Sequence, residues 1–217
     1  MNLISTLQNQ IDMANLRIIL ARIFVLLVCL PVHEYAHALT AYKLGDDTGK
    51  RKGRMSLNPF RHLDFAGSCL ILLMGFGYAK PVPVNPSNFR NRKGDMAVTA
   101  FAGPFSNFLM SVLFLFAVNI VNRVTHQTWA GSVLTSFLLQ SAYINISLAV
   151  FNLLPIPPLD GSKVFGSFLP KEFAGLGNRR TLSLFFILIL VSGRMGFSPI
   201  GYFSGKIFHF LYRLIVW

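Results

Sequence analysis

Between Ile18 and Tyr42 the chain carries only two charged side chains, Arg22 and Glu34. A run this long and apolar has few options. It crosses a bilayer as a helix, or it is buried on every side. Within it stands Pro31-Val32-His33-Glu34-Tyr35-Ala36-His37, an H-E-x-x-H motif. Residues four apart share one helix face, so His33 and His37 can offer two imidazole nitrogens to a single metal ion. Glu34 then lies near a water on that metal, where it can take and return a proton. An ionisable group at membrane depth is costly, and function is its default explanation. A polar cluster that only packs helices together is the plainer reading. The depletion of His and Glu in membrane segments weighs against it.

The rest of the composition agrees with a membrane. Hydrophobic residues make up 53% of the chain and charged ones only 13%, below the charged share of soluble domains. The formal net charge of +12 could suggest nucleic acid, but its distribution excludes that class. The basic residues gather in short loops between apolar runs: Lys50, Arg51, Lys52, Arg54 and Arg61, then Arg90, Arg92 and Lys93, then Arg179 and Arg180. That is the positive-inside pattern, which makes these loops cytoplasmic and sets them against anionic lipid headgroups. Cys29 and Cys69 sit in apolar runs and read as packing residues. Residues 1–15 lack the pattern of a cleavable signal, so the first span is expected to be its own insertion signal.

The periodicities predict an all-α, polytopic helical bundle. Its expected parts are an interfacial amphipathic helix at 1–15, a membrane-embedded core at 16–161 and C-terminal membrane helices at 162–217. The first span should run from Leu16 to Leu44, kinked at Pro31, with Arg22 snorkelling outward. Gly45-Asp46-Asp47 ends it, which puts a metal at His37 roughly 12 Å below the cytoplasmic surface. Between 46 and 95, Arg54–Pro59 and Tyr78–Pro86 read as short extended segments, a small β element. The apolar stretch Gly67–Gly77 is too short to cross and reads as a re-entrant element on the cytoplasmic side. Met96–Val121 and Gly131–Pro155 are the second and third spans of a three-helix core. Leu182–Ser192 and Ile200–Trp217 are shorter apolar segments.

Two histidines do not complete a hydrolytic zinc site, which ordinarily has three protein ligands and a water. Asp46 and Asp47 lie about 13–15 Å from His37 along a continuing helix, too far to reach. Asp64, Asp95, His62 and His126 read as solvated loop residues. Glu172 lies among polar loop residues, and His209 sits late on a terminal helix. Asp160 is different, because it follows Pro155, Pro157 and Pro158 at the broken end of an apolar span and precedes a glycine. Unwound backbone at that depth is tolerated where it lines a cavity. An ordinary Asp-Gly turn is the alternative; beside H-E-x-x-H, Asp160 is the favoured third ligand.

These stretches together resemble the site-2 proteases, a family of intramembrane zinc metalloproteases. The resemblance rests on His33-Glu34-Tyr35-Ala36-His37, Gly77-Tyr78-Ala79-Lys80-Pro81-Val82-Pro83-Val84-Asn85-Pro86, Gly103-Pro104-Phe105-Ser106-Asn107, and Asn152 ahead of Asp160-Gly161. It implies one Zn2+ per chain, held by His33, His37 and Asp160, with Glu34 as the catalytic glutamate. It implies a role for Asn152 in catalysis or substrate positioning. The implied partner is a transmembrane or membrane-anchored protein substrate, cut within the bilayer, with the active site facing the cytoplasmic side of a prokaryotic inner membrane. Asn107 reads as a hydrogen-bonding residue at a helix interface, with an active-site contact as the alternative. Two rivals remain: a non-proteolytic zinc-binding protein or transporter, and a membrane zinc enzyme acting on a lipid ester. A transporter needs a polar path across the bilayer, and the third span has no charge to build one.

Overall fold

A computed structural model of the chain describes residues 15–74, 79–125, 128–166 and 198–216. The expected helix at 1–15, the Leu182–Ser192 segment, His126, Glu172, Arg179 and Arg180 fall outside the described residues, save for residue 15. All regular elements among the described residues are helical.

The first helix, α1 (Asn15–Lys43), is long and apolar enough to cross a membrane. It does not break at Pro31. The distortion appears one turn earlier, as a π-helical turn over Val25–Cys29 in which the Leu30 N–H reaches the Val25 carbonyl. A proline at 31 has no N–H for residue 27 and its ring presses on that carbonyl, so the preceding turn widens. α1 ends in a Schellman motif. The Gly45 N–H bonds the Tyr42 carbonyl and the Asp46 N–H the Ala41 carbonyl. Gly45 takes a φ of +106° that a side chain would resist. A short helix, α2 (Thr48–Arg51), follows.

Asp64 opens α3 (Phe65–Met74) by accepting the Gly67 N–H at 3.0 Å. α3 lies along α1, with Ile71 packed against Leu26 and Leu30. Arg22 does not snorkel outward as expected. Its Nη1 donates to the carbonyls of Leu72 at 2.6 Å and Leu73 at 2.8 Å, in the last turn of α3, where a helix leaves carbonyls unsatisfied. The chain is then back beside the basic loop by Lys80, whose N–H donates to the His62 carbonyl at 2.8 Å. No β-strand forms among the described residues, in contrast to the small extended element expected. In Ala79–Asn85 the prolines at 81 and 83 remove the donors along one edge, and the Lys80, Val82 and Asn85 N–H groups go to His62, Glu34 and Asp46 rather than to a neighbouring strand.

Two further helices are long and apolar enough to cross: α4 (Arg92–Thr125) and α5 (Trp129–Asn152). The chain is therefore a multi-pass membrane protein. Polarity on α4 is inverted relative to a soluble helix. Thr99, Gly103, Ser106, Asn107 and Ser111 are buried, whereas Leu113, Phe116 and Ile120 face out at 52–64% exposure. Small and polar residues pack helices together where lipid solvates the apolar ones. α4 is central and packs against both α1 and α5. Ala21, Val25 and Cys29 of α1 meet Ile144 and Leu148 of α5. α5 also packs against α7 (Pro199–Ile215), through Ala142 and Ile146 with Leu211 and Ile215. The broken end of α5 leads to α6 (Asp160–Val164), which packs on α4.

Candidate active site

The helical register of α1 puts His33, Glu34 and His37 on its buried side, at 3%, 5% and 7% exposure. The His33 and His37 Nε2 atoms are 3.0 Å apart. Asp160 Oδ2 lies 3.2 Å from His37 Nε2 and 3.3 Å from His33 Nε2. The three residues thus converge from both ends of the core, though Asp160 is 123 residues from His37 in sequence.

Local structure explains the convergence. α4 can approach only because residue 103 is glycine, since a β-carbon there would fall on His37 Nε2 and within 2.6 Å of His33 Cε1. Asp160 reaches the site because Gly161 tucks beneath the end of α5, where a β-carbon would collide with the Leu153 and Leu154 carbonyls. His37 Nδ1 is 2.7 Å from the Thr99 carbonyl. A carbonyl only accepts, so Nδ1 carries the hydrogen and the Nε2 lone pair turns toward His33 and Asp160.

Glu34 lies beside these atoms and accepts the Val82 backbone N–H at Oε2, 3.2 Å away. Val82 belongs to a strap, residues 79–88, fastened at three points. The Lys80 N–H is bonded to His62 and its carbonyl to Arg54. The Asn85 N–H donates to Asp46 Oδ2 at 2.7 Å, and Asn88 Nδ2 donates to Asp46 Oδ1 at 2.7 Å. Asp46, too far from the histidines to join them, instead anchors the strap. It is fully buried, and Thr48 also donates to it through its N–H and its hydroxyl. Burial works against its charge, but the hydrogen bonds from Thr48, Asn85 and Asn88 outweigh it and hold the carboxyl below the ordinary range. His62, expected in solvent, is likewise buried, with Nε2 2.6 Å from the Ser56 carbonyl. Both cases arise because loop and strap cover one another.

A cavity of about 220 Å³ is lined by His33, Glu34, Lys80, Asn152, Asp160 and Lys163, among others. A smaller one on the other side of Pro81, about 40 Å³, is also lined by Glu34, Asp160 and Lys163. Asn152 stands on the wall of the larger cavity, and its Nδ2 donates back to the Leu148 carbonyl at 3.0 Å. Asn107 is fully buried one turn beyond Gly103, and neither amide atom has a partner among the described residues. Asp47 pairs with Arg51 at 2.8 Å in solvent, Asp95 accepts the Asn91 N–H, and His209 is exposed on α7. None of these approaches the histidines.

A sequence model of peptidase family M50 matches residues 21–192. The chain belongs to this family. Similar proteins include one named "Putative zinc metalloprotease YwhC" in Bacillus subtilis, 39% identical over 150 residues, which is 68% of each chain. Another, named "Putative zinc metalloprotease Rip2" in Mycobacterium tuberculosis, is 30% identical over 171 residues, 76% of this chain and 63% of that one. No solved structure matches. The resemblance to site-2 proteases is borne out, and this M50 peptidase is a membrane zinc metallopeptidase.

The donor set suits that metal. Bonds of 2.0–2.1 Å in a tetrahedral zinc site imply ligand–ligand edges of about 3.3–3.4 Å, and the three donor atoms here are 3.0–3.3 Å apart. With the hydrogen of His37 committed to the Thr99 carbonyl, the His37 Nε2 lone pair and the Asp160 carboxylate meet at one point beside the His33 imidazole, a donor set that suits a cation. What residue types alone missed in the M50 site are backbone groups, the Thr99 carbonyl and the Val82 N–H, which carry no signature in a sequence. Gly103 was legible as a point of close helix approach, but not as the floor beneath both imidazoles.

Proposed function

We propose that this zinc metallopeptidase is an intramembrane endopeptidase that cuts peptide bonds in or near the transmembrane segments of other membrane proteins, as in regulated intramembrane proteolysis. The observation that carries this reading is the meeting of His33 Nε2, His37 Nε2 and Asp160 Oδ2 beside the Glu34 carboxylate, within a bundle of spanning helices. In it His33, His37 and Asp160 are the ligands of one zinc ion per chain. Zinc supplies Lewis acidity toward a water molecule and the scissile carbonyl. Glu34 takes the water's proton as its oxygen attacks the carbonyl carbon, then returns the proton to the departing amine. The Val82 N–H fixes one oxygen of Glu34 and leaves the other for this transfer. Asn152, with one amide hydrogen committed to Leu148, keeps its oxygen and second hydrogen for the substrate backbone.

The active site opens to the cytoplasm of a bacterial inner membrane, on the side of the basic loops. The bacterial sources of the relatives and the charge asymmetry support this. α3 is a re-entrant element: the Arg22 bonds at its tip and the Lys80–His62 bond after it support entry and exit on one side. The membrane-embedded core of this reading spans 16–161. The test is zinc quantitation together with cleavage of a detergent-solubilised transmembrane substrate, wild type against Glu34→Gln. Wild-type protein without zinc, or undiminished cleavage by the variant, would sink this reading.

A further inference from the structure

We infer that Lys163, together with Lys80, forms a carboxylate-binding subsite next to the scissile bond, so that the enzyme selects substrates carrying an acidic group there. The inference rests on the peptidase reading above and adds a specificity to it.

The larger cavity is lined by the reacting groups and by two lysines from separate elements, Lys80 on the strap and Lys163 on α6. Lys163 stands one helical turn after Asp160 and also lines the smaller cavity, so it sits where the two cavities share Glu34 and Asp160. The anions on that wall are already engaged. Asp160 faces the imidazoles, Glu34 accepts from Val82, and Asp64 caps α3. Neither lysine side chain has a hydrogen bond or ion pair among the described residues. The backbone of Lys80 is pinned on both sides, to His62 and Arg54, so its ammonium is presented from a fixed chain.

A lysine at a cytoplasmic rim is ordinarily a topology signal solvated by water. Both lysines are solvent-exposed; what sets them apart is that they line the same cavity as Glu34. An ammonium–carboxylate contact at exposed side chains is screened by water and adds little affinity, but beside the reacting groups it discriminates between substrate charges. The fitting ligand is a carboxylate, which a substrate can supply from an Asp or Glu side chain near the cut or from its own chain end.

The test uses the zinc-loaded protein in detergent and one cleavable transmembrane peptide with its cut mapped. Glu, Gln or Lys is set at each of the two positions on either side of the cut, with the peptide's end free or amidated. Wild type should prefer Glu over Gln at one position by about tenfold in kcat/KM. Lys163→Gln should bring the ratio toward one, and Lys163→Glu should invert it in favour of Lys, a swap that a structural role would not produce. A preference for the free over the amidated end, whatever the internal residue, would assign the carboxylate to the chain end. Equal rates on all peptides, or a Glu preference kept by Lys163→Glu, would overturn the subsite. Peptide affinity for the Glu34→Gln protein separates the two readings. Charge preference in binding with no wild-type cleavage removes the peptidase and leaves the subsite, while cleavage without preference removes the subsite alone.

Discussion

The Val82 backbone N–H donates to Glu34 Oε2 at 3.2 Å, joining a proline-rich strap to the carboxylate in the H-E-x-x-H motif across 48 residues of sequence. Proline on either side of Val82 makes this the one N–H that the strap can offer between residues 81 and 83.

Val82→Pro deletes that donor. Turnover should fall about tenfold, the scale of one hydrogen bond to a charged group, with zinc content unchanged. Val82→Ala keeps the N–H and should stay near wild type. Equal activity of the two variants would mean that the bond does not orient Glu34. Intact cleavage with prolines at both Val82 and Val84 would also count against the strap as a template for an extended substrate.

Glu34→Gln keeps size and polarity but cannot accept a proton at neutral pH. The variant should fold, insert and hold zinc, while turnover drops by roughly 10²–10⁴. Zinc lost in step with activity would make Glu34 a ligand.

His33→Ala, His37→Ala and Asp160→Ala should each lose zinc, measured by metal analysis after a chelator wash. Gly103→Ala should weaken zinc binding at least tenfold although it removes no donor, because its methyl group displaces both imidazoles. Normal affinity in Gly103→Ala would mean that α4 can back away from α1.

The Asp46 clamp should be sensitive to acid. Its carboxyl titrates lower in the folded protein than its ordinary 3.8, so the charge contributes stability that is present above about pH 4. That stability is lost as the pH falls through the lower, folded value. Hydrogen exchange at residues 85–88 should accelerate on acidification in wild type. In Asp46→Asn it should already be fast at neutral pH, from a loss of about 1–2 kcal/mol, with no further acid response. A flat wild-type profile would mean that the clamp does not titrate.

Cysteines introduced at residues 52 and 92, in a protein free of Cys29 and Cys69, should be labelled from the same side of the membrane. Labelling from opposite sides would mean that the 65–79 region crosses.

Much of this was legible before any coordinates. The spans follow from apolar runs that lipid and helix geometry leave little freedom to rearrange, and His33, Glu34 and His37 follow from a fixed spacing on one of them. Asp160 could be picked out because a proline-broken span end followed by glycine is an unusual setting for an acid. His62 and Arg22 were misread for a common reason, and the burial of Asp46 went unforeseen for the same one. Each is buried or engaged by a segment distant in sequence, whether strap, loop or α3 tip, and local pattern says nothing about what folds over a residue. The small extended element is not confirmed: alternation suggested edge-type segments at 54–59 and 78–86, and no strand partner pairs with them among the described residues.

The strap is fastened to α1 twice, at Glu34 through Val82 and just past the helix end at Asp46 through Asn85 and Asn88. Helix and strap therefore form a single stiff wall that cannot part along its own seam without breaking bonds to two buried carboxylates. The opposite wall is built differently. There Asp160 hangs from α5 by a seven-residue proline linker, 153–159, in place of continuous helix. One side of the cleft is thus tied to α1 at two buried carboxylates, while the side that carries Asp160 is joined to α5 through the linker and the close packing of Gly161.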